Sequence, residues 1–502
     1  EAVNATSGGT ADRISILAPT TGIDPLTDLP IQTISGLNAF DNSTGTSNGD
    51  LVINYSLPDG ATSVAQTITV AGHFTGANAQ TGVERINFNG AAYAGYQLGA
   101  DDYLINRLDP NGDRTIDLTA SIVNNFVAGE NGTDDAITGG SGNDLIFGGS
   151  GNNVLNGGLG DDLIVGGADS ETLDGGADLD TMIGLGGNDT YLVDDIGDVV
   201  IEAVGGGTDT VETLLAALSI ETMANVENLS YEGVDADQFV GTGNALANTI
   251  SGGDLADTLS GLGGNDTLLG GLGADIMIGG DGNDVYEVDE AGDFVTETSA
   301  DAVVGGVDRV ESDIDYVLGA NLENLDLNGA ALSGTGNALN NVINGNDLNN
   351  QLFGGAGNDT LGGDDGDDLL DGGTGDDILN GGAGNDTVVG GEGNDTIDVG
   401  TGFNRIVYNA IGFGADVINS FDADGGLATN QDKIDLSALG VTAANFATRV
   451  VETAVAGPAG RLLTINDGAG NTIGSIRVNN VTDAQIDIND FTLAAAAPPV
   501  FG

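Results

Sequence analysis

The 502-residue sequence has no cysteine, no tryptophan and a single histidine, and sets ten Lys and Arg against 77 Asp and Glu. Without thiols there are no disulfides and no thiolate-held metal, so a bound ion must take hard oxygen ligands, which suits calcium or magnesium and not zinc. One histidine cannot build the H-E-x-x-H site of a zinc protease. His73, in TITVAGHF, reads instead as a packing residue at the end of a strand. The formal charge of -67 would repel nucleic acid and anionic membrane surfaces, leaving cations as the natural partner. No apolar run approaches the roughly 18 residues of a membrane span. The amino end, EAVNATSGGTADR, has neither an initiator Met nor a charged-then-apolar leader, so the chain reads as a processed product or an excised part of a longer one.

What is abundant pulls in two directions. Strong acidity, 5% aromatics and 86 glycines point to disorder, yet 40% of the residues are hydrophobic. A conditional fold reconciles these features: the chain stays expanded while its carboxylates repel and compacts when a divalent ion neutralises them.

The abundance is ordered at a nine-residue period of the form G-G-x-G-x-D-x-U-x, U being a large apolar residue. Units beginning at 130, 139, 148, 157, 166, 175 and 184 carry Asp135, Asp144, Asn153, Asp162, Glu171, Asp180 and Asp189 at position six. Their eighth positions are Ile137, Ile146, Leu155, Ile164, Leu173, Met182 and Tyr191. A second block from 243 places Asn248, Asp257, Asp266, Asp275 and Asp284 at position six, and a third from 336 places Asn341, Asn350, Asp359, Asp368, Asp377, Asp386, Asp395 and Asn404 there. A solvated linker has no reason to keep an apolar residue at every eighth position, which these blocks do. Between the blocks, 193–242 and 288–335 share D-x-x-GD-[VF]-V, then VENL or LENL, then GTGNAL, so the short repeats sit inside a longer one of about 95 residues.

An x-U-x triplet is a minimal strand with one inward side chain, and the six residues before it make a turn. Two nonamers complete one coil, so acids 18 residues apart become neighbours at about 4.8 Å. Asp144, Asp162 and Asp180 form one column, Asp359, Asp377 and Asp395 another, and Asp368 and Asp386 a third. Bare carboxylates at that separation repel by about 3–4 kcal/mol at an effective dielectric near 20, and an intervening Ca²⁺ reverses the sign. The candidate metal ligands are the position-six aspartates of the three blocks.

Segments such as GGSGNDLIFGG (139–149) and GGAGNDTVVGG (381–391) closely resemble the repeats-in-toxin (RTX), haemolysin-type family of secreted bacterial calcium-binding proteins. The resemblance implies a parallel β-roll, several Ca²⁺ ions between adjacent turns, export through a type I channel and folding outside the cell. GFGADVINSFDADGG and DKIDLSALG (432–440) look like the segment that follows the roll in serralysin-type enzymes, and Asp490-Phe-Thr-Leu493, here followed by AAAAPPVFG, looks like the ending of a type I secretion signal. The expected organisation is all-β. It comprises a β-rich amino-terminal domain (1–129), β-roll blocks at 130–192, 243–287 and 336–407, β-rich spacers at 193–242 and 288–335, and a β-rich carboxyl cap with a type I secretion region (408–502). In the first domain, NGDLVINY, QTITVAGHF and GVERINFNG read as strands.

Catalytic signals are weak. G-T-S-N-G at 45–49 formally matches an esterase elbow but has no apolar strand before it and no downstream histidine; Gly45–Ile53 reads instead as a degenerate nonamer with Asp50 at position six. Asp109, Asn111 and Asp113 begin like an EF-hand loop, yet Arg114 and Ala120 stand where Gly and Glu are needed, leaving a polar turn as the better reading. Paired carboxylates could be drawn anywhere in so acidic a chain and single out nothing. The expectation is therefore a non-enzymatic, extracellular or cell-surface protein of structural or adhesive type. Its expected partners are calcium, further copies of itself and cell-surface or matrix polysaccharide, with neither nucleic acid nor a transmembrane segment involved. The competing reading is the noncatalytic calcium-binding and secretion part of a larger RTX protease, lipase or polysaccharide-modifying enzyme.

Overall fold

The computed structural model describes residues 115–122, 124–129, 134–233, 238–297, 305–423, 431–454, 460–481 and 486–495, with the backbone of several strands between Gly22 and Arg107. The chain divides into two compact units, Glu1–Gly253 and Asp254–Gly502.

In the first unit, short strands go alternately to two sheets. One contains Thr115–Asp117, Ala136–Gly140, Val154–Leu159, Thr172–Ala177, Thr190–Val193, Thr210–Thr213, Asn228–Tyr231 and Thr249–Ser251, each parallel to the next. The other contains Asn125–Ala128, Leu145–Phe147, Leu163–Gly167, Thr181–Leu185 and Val199–Ile201. Each repeat therefore stacks on the one two places away, because a strand this short has room for one inward side chain and must turn to find a second wall. Leu155, Leu173, Tyr191, Val211, Leu229 and Ile250 line up in register on one wall, and Val127, Ile146, Ile164, Met182 and Val200 on the other. All are buried, and each large aliphatic side chain so enclosed stabilises the fold by about 1.5–3 kcal/mol.

The segment 193–242 does not leave this pattern. Its strands Val199–Ile201, Thr210–Thr213 and Asn228–Tyr231 take successive places in the same two sheets, while Ala217–Ser219 pairs with Val240–Thr242.

Towards the amino end the backbone forms an antiparallel set, Asp50–Leu57 on Val64–Ala71, then Arg85–Phe88 and Asp102–Arg107, the last lying parallel to Asn125–Ala128. This corrects the reading of Gly45–Ile53 as a nonamer: Asp50 opens an eight-residue strand in a hairpin. Alternation in DLVINYSL outweighs a chance match to the nine-residue frame. Ser47, His73, Asp109, Asn111 and Asp113 lie outside the described residues.

The second unit repeats the architecture. One wall runs from Thr267–Leu269 through Val285–Val288, Arg309–Ser312, Asn324–Leu327, Val342–Asn344, Thr360–Gly362, Ile378–Asn380 and Thr396–Asp398 to Ala415–Asn419. Facing strands run from Tyr316–Val317 to Lys433–Asp435 and end on Phe491–Thr492. Near the carboxyl end Val450–Ala454, Gly460–Asn466 and Thr472–Asn479 form an antiparallel meander, joined in parallel to Ala415–Asn419. Among the described residues no helix is long and apolar enough to cross a membrane.

Candidate metal centre

The turn before each strand brings the position-six acid inward. At Gly139, Gly157 and Gly175 the space a Cβ would fill is taken by Oδ2 of Asp144, Asp162 and Asp180 respectively, and a carbonyl oxygen from the neighbouring coil closes on the first two glycines. The same holds at Gly354, Gly372 and Gly390 for Asp359, Asp377 and Asp395. Only glycine at position one leaves room for the carboxylate to fold back over its own turn.

These acids are joined into ladders. Within the blocks, position-six amides donate to Oδ1 of the acid 18 residues later: Asp144 to Asp162 at 2.5 Å, Asp162 to Asp180 at 2.7 Å, Asp359 to Asp377 at 2.8 Å, Asp377 to Asp395 at 3.0 Å, and Asp368 to Asp386 at 3.0 Å. Asp257 is likewise joined to Asp275, and Asp266 to Asp284. On the other side of the first block Glu171 donates to Asp189 and Asp135 donates to the Asn153 side chain, so all the candidate aspartates are buried in such columns.

One oxygen of each carboxylate is thereby accounted for. The second, Oδ2, is buried without a hydrogen-bond partner in Asp144, Asp162, Asp180, Asp189, Asp275, Asp284, Asp359, Asp368, Asp377, Asp386 and Asp395. A buried anionic oxygen left unpaired is costly. Burial pushes Asp162 up to about 9, against the pull of the Asp144 amide and with added repulsion from Asp144 and Asp180. Burial likewise raises Asp180 to about 8 and Asp377 to about 7, with Asp198 and Asp395 respectively adding repulsion. Columns of hard, inward oxygens beside backbone carbonyls match the ligand set of calcium, which accepts six to eight oxygens.

Sequence reasoning missed three features. First, position five makes a second ladder of opposite sense on the exposed side of the turns: the amides of Asp376 and Asn394 donate back to Asn358 and Asp376, 18 residues earlier. Second, spacer acids continue the columns. The Asp189 amide donates to Asp209, and that of Asp209 to Glu227; Asp284 reaches Asp308, and Asp308 reaches Glu323. At the carboxyl end Asp416 and Asp432 receive the amides of Asp395 and Asn404. The shared VENL and LENL strings were the available signal for Glu227 and Glu323.

Third, two clusters bring together acids distant in sequence: Asp189, Glu202 and Asp209, and Asp284, Glu297 and Asp308, each buried with ligand oxygens within 4.8 Å of one another. Glu202 and Glu297 come from the opposite wall, just after Val199–Ile201 and Phe294–Thr296. The matching spacing of the two glutamates, each 13 residues after its Asp, was legible but lay outside the nine-residue frame.

The RTX calcium-binding nonapeptide repeat family matches at residues 131–164, 165–195, 242–286, 335–370 and 371–406. No curated protein matches the chain. Among solved structures, the extracellular lipase LipA from Serratia marcescens is similar at 17% identity, over 59% of this chain and 45% of the lipase, with a TM-score of 0.21. The match thus spans less than half of the lipase. The AlgE6R3 and AlgE6R2 subunits of the Azotobacter vinelandii mannuronan C5-epimerase match at 27% and 29% identity. They cover 33% and 31% of this chain and 87% and 95% of those chains, with TM-scores of 0.20 and 0.15. Nine-residue spacing, parallel coils and the matched segments agree, and the chain carries RTX calcium-binding nonapeptide repeats.

Proposed function

We propose that the protein folds when extracellular calcium fills its acid columns and then serves as a structural or adhesive component, in a surface layer, filament or matrix, that assembles with itself. The observation that carries this reading is the run of buried Oδ2 atoms without partners at position six. Each column aspartate would give Oδ2 to an ion, with glycine-turn carbonyls such as that of Gly157 completing the shell. Occupancy would stabilise the coils by about 2.7 kcal/mol per site when free ion is a hundredfold above its dissociation constant. Sites of the roughly 10⁻⁴–10⁻³ M affinity of extracellular calcium modules would fill outside a cell and stay empty inside it.

A structural role is supported by how much of the described chain is wound into coils, and by outward apolar neighbours such as Ile276 and Phe294, paired across adjacent strands and 43% and 61% exposed. Acidic turns would also share calcium with acidic matrix polysaccharide. Electron microscopy and circular dichroism, each with calcium and with chelator, test the proposal. The expected outcome is ordered assemblies and β signal with calcium, and dispersed coil without it. Monomers in both conditions would overturn the assembly role, and full β content in chelator would overturn calcium-coupled folding.

A further inference from the structure

We infer that the two three-carboxylate clusters are cation sites of their own, each taking one calcium-sized ion and fastening the first irregular coil to the repeats before it. The inference rests on the proposed cation-facing role of position six, since Asp189 and Asp284 belong to that set, but it adds ligands from outside the repeat.

The clusters are alike and occur once in each of the two units. Asp189, Glu202 and Tyr191 stand to one another in the chain as Asp284, Glu297 and Tyr286 do. In each, the tyrosine hydroxyl, Oδ2 of the aspartate and Oε1 of the glutamate converge where a Cβ on Gly184 or Gly279 would lie. The Tyr286 hydroxyl is the telling atom: the side chain is fully buried, the hydroxyl has no hydrogen-bond partner, and it is aimed into the acids. The Tyr191 hydroxyl donates to Glu202 in the other cluster. Oδ2 of Asp209 and of Asp308 are buried and unpartnered as well.

Three carboxylates with oxygens within 4.8 Å match the span available to ligands on one calcium, whose Ca–O distances are about 2.3–2.6 Å. Such a charge-dense site selects a divalent or trivalent hard cation over sodium or potassium. Its placement explains what it would do. The step from Asp189 to Asp209 is 20 residues and that from Asp284 to Asp308 is 24, where the repeats use 18. An ion held by both walls closes a coil whose longer loop no longer fits the repeat.

The test uses the full chain, with calcium counted by equilibrium dialysis and terbium luminescence read on tyrosine excitation. Tryptophan is absent, so tyrosines next to bound terbium dominate the sensitisation. The double variant Glu202→Gln, Glu297→Gln leaves every position-six acid in place and is expected to bind two fewer calcium ions than the parent. Tyr191→Phe, Tyr286→Phe keeps the ring volume and is expected to lower sensitised terbium emission at least about twofold; it serves as the readout if the glutamine variant fails to fold. Unchanged stoichiometry in a folded glutamine variant, or unchanged emission in the phenylalanine variant, overturns the inference and leaves the columns untouched. A parent chain that binds no calcium would defeat the proposed function itself.

Discussion

The third repeat block and the spacer coils of the second unit are built on the same walls with different rules of length. In the block, each column step is 18 residues, as from Asp359 to Asp377 to Asp395. In the spacer the steps from Asp284 to Asp308 to Glu323 are 24 and 15. Both keep an inward apolar residue in register, Leu370 between Leu352 and Val388 in one, Leu325 between Val310 and Ile343 in the other. Both keep an acid that accepts the preceding amide. The difference teaches that a coil is defined by its buried apolar residue and its acid; loop length can vary because the entropy of closing a somewhat longer loop costs only tenths of a kcal/mol.

The largest expected effect is of pH on the metal-free chain. Burial holds Asp162, Asp180 and Asp377 protonated up to about 9, 8 and 7, whereas the unfolded chain releases these protons near pH 4. The folded state therefore binds more protons in between, and metal-free stability falls as pH rises from about 4 towards 9. Calcium-loaded protein should show the reverse on acidification, since protons compete with the ion. Circular dichroism of metal-stripped protein at pH 5 and pH 8 checks this; greater β content at pH 8 would break the comparison for blocks and spacers alike.

Next in size are core truncations. Leu370→Ala and Leu325→Ala each remove a fully buried side chain and should each cost about 2–5 kcal/mol in calcium. Denaturant unfolding measures both. A near-neutral Leu325→Ala would mean that the spacer is only loosely joined to the ladder.

Asp162→Ala, in mid-column between Asp144 and Asp180, should raise the calcium midpoint of folding about fivefold or more, from the loss of roughly 1–3 kcal/mol. Asp135→Ala, at the edge of its block, should do less. Equal midpoints in calcium titrations of the two variants would deny that the acids act as columns.

The smallest effect sharpens the spacer side alone. Asn225 and Asn321 adopt positive φ of 66° and 68° and donate to the carbonyls of Glu202 and Glu297. Substitution by glycine keeps the backbone conformation and loses only that bond, for about 0.5–1.5 kcal/mol. Thermal melting should register a shift of a few degrees.

The roll and its columns were legible because Gly, Asp and an apolar residue recur in one frame, so that Ile146, Ile164 and Met182, or Asp144, Asp162 and Asp180, could be aligned by counting. The spacer coils were not, because loops of irregular length break the frame while leaving Val211 and Leu325 on the same walls. Glu202 and Glu297 escaped for a related reason: they meet Asp189 and Asp284 across the coil, a contact no single-strand period encodes. Asp50 misled in the opposite direction, since a chain rich in glycine and aspartate matches a short frame by chance.

The direction of the position-six ladder makes the two ends of a roll unequal. Its amides wait on side-chain oxygens from later in the chain, so trimming from the amino side removes a donor and leaves an oxygen that water or a cation can serve. Trimming from the carboxyl side strands a buried N–H that nothing else in its coil can satisfy. Asp416 and Asp432 stand where that deficit would fall, receiving the amides of Asp395 and Asn404 from beyond the last full repeat. A roll of this kind can begin almost anywhere but needs a dedicated stop, and shortened forms that retain those two acids should outlast those that do not.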